Sequence, residues 1–103
     1  MAIQNTQVNS IATQIFLANG QQAVTTMLFC NVSTATTELN VFAVPYGSNA
    51  GQSTQIINAV VIPPTETFVM DSERLVLENL DAIYAQTSIP LSITATISSV
   101  ATQ

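Results

Sequence analysis

The sequence predicts an all-β chain, an antiparallel β-sandwich or jelly-roll of about eight strands. Three observations predict it. Thr, Val and Ile supply 34 of the 103 residues, and branching at Cβ stiffens side chains in a way that suits pleated strands better than helices. Only 7% of the residues are charged, whereas a water-facing helical surface carries many more Glu, Lys and Arg. Short β-like runs also recur at regular spacing between Gly, Pro, Asn and Asp punctuation.

The elements follow in order. A β-run from Val8 to Leu17 is closed by Asn19-Gly20, two residues that tolerate φ > 0. Ala23 to Asn31 is the next strand, with a turn at Ser33-Thr34-Ala35-Thr36. Glu38 to Val44 places Leu39, Val41 and Ala43 on one face and Phe42 on the other. Pro45 to Gly51 is the longest loop. Gln55 to Ile62 is a longer run with a bend expected at Asn58-Ala59. Pro63-Pro64 has no N–H to give a ladder and belongs in a connection. Thr67 to Met70, closed by Asp71-Ser72, and Arg74 to Leu77, closed by Glu78-Asn79-Leu80-Asp81, are short strands. Ala82 to Thr87 follows. In the last strand Leu91, Ile93, Ala95 and Ile97 alternate with Ser92, Thr94, Thr96 and Ser98, the period of a strand with one wet face. Ser88-Ile89-Pro90 joins these two, which are expected to pair as an antiparallel hairpin. Residues 1–7 are short and polar and are expected to form an N-terminal arm that reaches a neighbour. Residues 8–103 then make a single sandwich domain.

Composition excludes several partners and chemistries. The net charge is −5 and Arg74 is the only basic residue. Phosphate backbones and anionic lipid surfaces both need several Lys or Arg, so neither nucleic acid nor membrane is an expected partner. No apolar stretch approaches ~18 residues, the length that spans a bilayer. The first residues lack a basic n-region, and Gln4, Asn5 and Gln7 interrupt any apolar run, so no signal peptide is expected. There is no His and no Lys. Serine or cysteine nucleophiles therefore lack their usual base. A zinc site lacks imidazole and has one thiolate, Cys30, and a P-loop lacks its Lys. No catalytic residue, metal or cofactor is expected. Cys30 follows Met27-Leu28-Phe29 and reads as a small buried hydrophobe, in a protein folded in a reducing cytoplasm.

The remaining candidates are few. Five of the six acids fall between Glu66 and Asp81. Their spacing matches no EF-hand loop, and a paired-carboxylate hydrolase needs a cleft that this chain has little material to build. Acids at turns bond local backbone N–H groups, and Asp81, where a turn becomes a strand, is expected to cap that turn. Tyr46 in the long loop is the aromatic placed for an outside contact. With Asp71 and its neighbours it would form the site of a carbohydrate-binding module, a second class of function. Tyr84, within a strand, reads as core or interface. Asn31-Val32-Ser33 is a glycosylation sequon, meaningful only in a secretory lumen. A surface of Thr, Ser, Asn and Gln desolvates more cheaply than a charged one, so a homo-oligomer is expected.

Three segments share a wider pattern: Leu28-Phe29-Cys30-Asn31-Val32-Ser33, Val41-Phe42-Ala43-Val44-Pro45-Tyr46-Gly47, and Leu75 to Ala85. With the ending Ile97-Ser98-Ser99-Val100 they resemble small virion structural proteins of tailed bacteriophages over roughly residues 24–100. The shared features are an Asn-x-Ser/Thr turn, a Val-Pro-x-Gly strand exit and a Leu-x-x-Gly-Asp-x-Ile-x-Ala hairpin. Leu80 and Ser99 stand where that pattern carries Gly. The resemblance implies a non-enzymatic β-sandwich present in many copies on a virion assembled in the host cytoplasm. Its partners would be copies of itself and the major capsid protein, as a decoration (cement) protein, or tail, neck or baseplate proteins.

Overall fold

The computed structural model describes residues 2–70 and 75–101. Over these the chain forms β1 (Ala2–Val8), β2 (Thr13–Leu17), β3 (Gln22–Asn31), β4 (Thr37–Val44), β5 (Gln55–Ile62), β6 (Thr67–Met70), β7 (Leu75–Leu77), β8 (Ala82–Thr87) and β9 (Ile93–Ala101). Two antiparallel sheets face each other. Sheet A has the order β1-β9-β3, with β6 and β7 both on the far side of β3; sheet B has the order β2-β8-β4-β5. If β6 and β7 are taken as one row, the first row pairs with the last, the second with the second-last, and so inward to β4 and β5. That rolled-up ladder is a jelly-roll.

Within the strands, the period-two pattern sets which side chains meet between the sheets. Phe29, Ile15, Leu39, Ile83, Ile93 and Ile97 are fully buried there and form one core with Met27, Val24 and Val41. The expected bend in β5 is a bulge: the β4–β5 register shifts between Leu39 and Val41, and Ala59 takes φ 53. The Asn40 amide oxygen accepts from the Ala59 N–H at 2.9 Å and from Gln55 Nε2 at 2.9 Å, which satisfies groups the bulge takes out of the ladder.

Several expectations need correction. Residues 2–8 are not a free arm: they pair residue for residue with β9, so β1 is part of the sandwich. An edge strand is held by backbone bonds, and a polar composition does not prevent it. The run from Val8 to Leu17 is two strands, because Asn9 bonds the N–H of Ser10 at 2.8 Å and Thr13 bonds that of Asn9 at 3.2 Å, turning the chain locally. β8 and β9 are not a hairpin but lie in opposite sheets. Alternation tells which residues face the core, and strands facing each other across it alternate in the same way as strands side by side. Leu91 is a turn residue, φ 58 and half exposed, and β9 starts two residues later. Cys30 is only half-buried and sits opposite Thr94 and Thr67 on the outer side of sheet A.

Candidate functional site

The two ends of the sandwich are clamped by polar side chains, and the candidate residues divide between them. At the end where β3 begins, three turns converge on Asp81. Its Oδ2 accepts from the Glu78 N–H at 3.0 Å, which caps the turn before β8. Its Oδ1 accepts from the Tyr46 N–H at 2.9 Å, which ties down the start of the long loop. The Asp81 carbonyl accepts from the Ala18 N–H at 2.8 Å, and the Ala18 carbonyl accepts from the Leu80 N–H at 2.9 Å. Asn79 bonds Gly20, and Glu78 bonds Gln21.

Tyr46 and Asp81 are therefore brought together, through the Tyr46 backbone. The Tyr46 side chain is 73% exposed. Beside it lies a cleft of about 220 Å³ lined by Val44, Pro45, Leu75, Leu77 and Asp81 among others. Asp71 lies outside the described residues. Both Asp81 oxygens hold backbone N–H groups, so the carboxylate works as a clasp between turns. We expect Asp81→Asn to cost about 1–2 kcal/mol, since an amide loses one acceptor and points an N–H at a donor. Urea unfolding would measure it, and amide exchange would quicken at Tyr46 and Glu78.

Leu80 holds the left-handed conformation, φ 70, with its side chain 40% exposed. A non-Gly residue there costs roughly 1–2 kcal/mol, partly offset by the unfolded-state freedom a glycine would add. Leu80→Gly should therefore gain about 0.5–1 kcal/mol, seen as a rise in Tm of a few degrees. At the other position where the bacteriophage pattern carries Gly, Ser99 is buried and its hydroxyl has no partner among the described residues.

The opposite end is organised by Asn31, a residue noticed in the sequence only as part of a sequon. It is 1% exposed. Its Nδ2 donates to the carbonyls of Ala35 and Ile62, both at 2.9 Å. Its Oδ1 accepts from the N–H of Ser33 at 2.9 Å and from the Ser33 hydroxyl at 2.8 Å. All the bonding capacity of the amide is used, which leaves no free nitrogen for a glycan. Nearby, the Ser92 hydroxyl donates to the Ile89 carbonyl at 2.7 Å and shares a hydrogen bond with the Thr37 hydroxyl at 3.1 Å. The usable signals were Asn-x-Ser itself, which is an Asx-turn pattern, and Ser92 next to apolar strand residues.

The broadest surface feature is the outer side of sheet A. The register places Ile3, Asn5 and Gln7 of β1 beside Ser98, Thr96 and Thr94 of β9. Val100, Thr96 and Thr94 lie beside Ala23, Leu28 and Cys30 of β3. These continue to Val76, Val69 and Thr67 of β7 and β6. None of these side chains is an acid or a base. Ile3 is 69% exposed, Val76 60%, Val69 48% and Val100 38%. The described acids lie elsewhere: Glu66, Glu78 and Asp81 at turns and Glu38 on β4 in sheet B. Tyr84 lies on the outer side of sheet B, opposite Phe42 and Gln14, and donates its hydroxyl to Gln14 at 3.2 Å. Comparison of the chain with protein-family models, curated proteins and solved structures finds no match to any of them.

Proposed function

We propose that this chain is a non-enzymatic structural subunit of a bacteriophage particle, a capsid decoration (cement) protein that packs in multiple copies against the major capsid protein. The observation that carries the reading is the outer side of sheet A, which carries no charged side chain among the described residues. Four strand rows about 4.8 Å apart and some 30 Å long give a face on the order of 600 Å² in projection. A stable interface takes about 800 Å² from each partner, so this face supplies most of one. Hydroxyls, amides and β-branched side chains can be desolvated there without burying an unpaired charge. The jelly-roll supports the same reading by analogy, since the architecture recurs in viral capsid domains.

Mass spectrometry and image reconstruction of the purified particle test the proposal. We expect copies spread over the shell lattice with sheet A toward the shell. Copies confined to a ring at the neck, tail or baseplate would move the subunit to that part of the particle. Particles without the chain would end the virion reading.

A further inference from the structure

Sheet A and sheet B have four edges between them, and three are interrupted. The β2 edge carries a register break between Gln14 and Phe16. The β5 edge breaks twice and turns through Ala59 at φ 53. Along the third edge the register against β3 shifts by two residues between Met70 of β6 and Leu75 of β7. Such breaks are how native proteins stop a sheet edge from recruiting another strand, along with Lys, Pro and short length. β1 has none of these protections. Its seven residues, Ala2 to Val8, pair with β9 without a register shift. They contain no Pro, no Gly and no charged side chain. Its other side therefore presents a regular row of backbone donors and acceptors.

We propose that this edge binds a second copy of itself: two β1 strands pair antiparallel about a two-fold axis at Asn5, joining two copies of sheet A into one sheet. The strand is self-complementary in this register. Asn5 meets Asn5, Ile3 meets Gln7 and Gln4 meets Thr6, so side chains of the outer row stay on the outer row. Ile3, 69% exposed in the single chain, is then covered by the aliphatic part of a glutamine. Charge favours the same occupant. Each chain carries a net charge of −5, which opposes association at most surfaces. β1 and β9 contribute none of it, so the two strands meet without like charges facing each other. An isologous contact of this kind closes at two copies. The inference takes its partner class, a second copy, from the assembly reading above, but not the location on a particle.

Sedimentation velocity up to about 1 mM tests it, with Asn5→Lys as the disrupting variant and Asn49→Lys, in the β4–β5 loop, as the charge-matched control. The wild type should approach twice the 10.9 kDa chain mass. Asn5→Lys brings two cations to the axis, and like charges directly opposite each other disfavour strand pairing, so its dissociation constant should rise about tenfold or more; Asn49→Lys should not change. A strictly monomeric wild type, or a dimer that Asn5→Lys leaves intact, overturns the proposal. Hydrogen exchange on the wild type decides independently of any variant's folding. Alternate β1 amides should gain protection as concentration rises, and concentration-independent exchange there also overturns it. A monomer that still occupies shells would sink this edge and keep the assembly reading; a β1 dimer absent from particles would do the reverse.

Discussion

Replacing Asn31 with Leu is expected to destabilise the fold by about 3–4 kcal/mol and lower Tm by roughly 12–30 °C. Leucine keeps the number and branching of side-chain heavy atoms and removes every polar one, so the effect falls mainly on the polar groups. Four hydrogen bonds disappear together. Each is worth about 1 kcal/mol net, which together gives that figure. Of the four, the bond to the carbonyl of Ile62, a strand residue that also pairs with Thr37, is the fully buried one. The turn at residues 32–36 and the connection from β5 to β6 would both lose their anchor. Asn31→Asp makes a sharper contrast. A carboxylate still accepts from Ser33 but aims its other oxygen at the two carbonyls that the amide nitrogen served. Protonation would restore one donor, so the folded state would hold the proton more tightly than the unfolded chain, whose carboxyl titrates near about 3.9. A group with a raised folded pKa is protonated in the folded state and ionised in the unfolded state as pH rises past that value, so stability falls. The Asp variant should therefore recover stability on acidification toward pH 4 relative to wild type, while the Leu variant should keep a constant deficit. Urea titrations at pH 4 and pH 7 give both answers. Equal pH dependence in the two variants would mean that the Asn31 nitrogen does not face those carbonyls.

The strands were legible because their side chains alternate. Spacing alone puts Leu91, Ile93, Ala95 and Ile97 on one face; the last three are fully buried, and Leu91, in the turn before the strand, is half exposed. Asn58-Ala59 announced a bend inside an otherwise continuous β-run, and a bulge lies there. The same code carries no information on sheet membership, so β8 and β9 looked like a hairpin and are instead opposite walls of the core. It is also silent on β1, where Gln4, Asn5 and Gln7 look like a solvated arm because the holding bonds are in the backbone. Of the candidate residues, the role of Asp81 was readable from its position at a turn-to-strand junction. Its partner Tyr46 was noticed for its ring but is joined through its N–H. Asn31 was missed because a sequon suggests an exposed acceptor, whereas the geometry that makes Asn-x-Ser a good turn also lets its amide be buried with full satisfaction.

The second large effect falls on Phe29. It lies midway along the inner side of β3, fully buried, between Ala95 of β9 and Phe68 of β6. Its ring packs tilted on that of Phe68, with centroids 6.4 Å apart. Phe29→Ala should cost about 3–5 kcal/mol, because the lost contacts leave a cavity between two sheets that cannot close independently. Total stability for a domain of this size is about 5–15 kcal/mol, so the variant should be partly unfolded at 37 °C. The comparison that gives this result functional meaning is Val69, which follows Phe68 in β6 but points the other way and is 48% exposed. Val69→Asp removes little buried area and should change folding by no more than about 0.5 kcal/mol. It places a charge on the outer side of sheet A beside Leu28, where burial against a partner would require desolvating it. Phe29→Ala should therefore reduce particle occupancy only in proportion to its unfolding. Val69→Asp should abolish occupancy while the subunit stays folded, as judged by circular dichroism and an unchanged urea midpoint. If Val69→Asp instead occupies particles normally, the outer side of sheet A is not the contact, and the weight of the assembly proposal shifts to the loops around Tyr46.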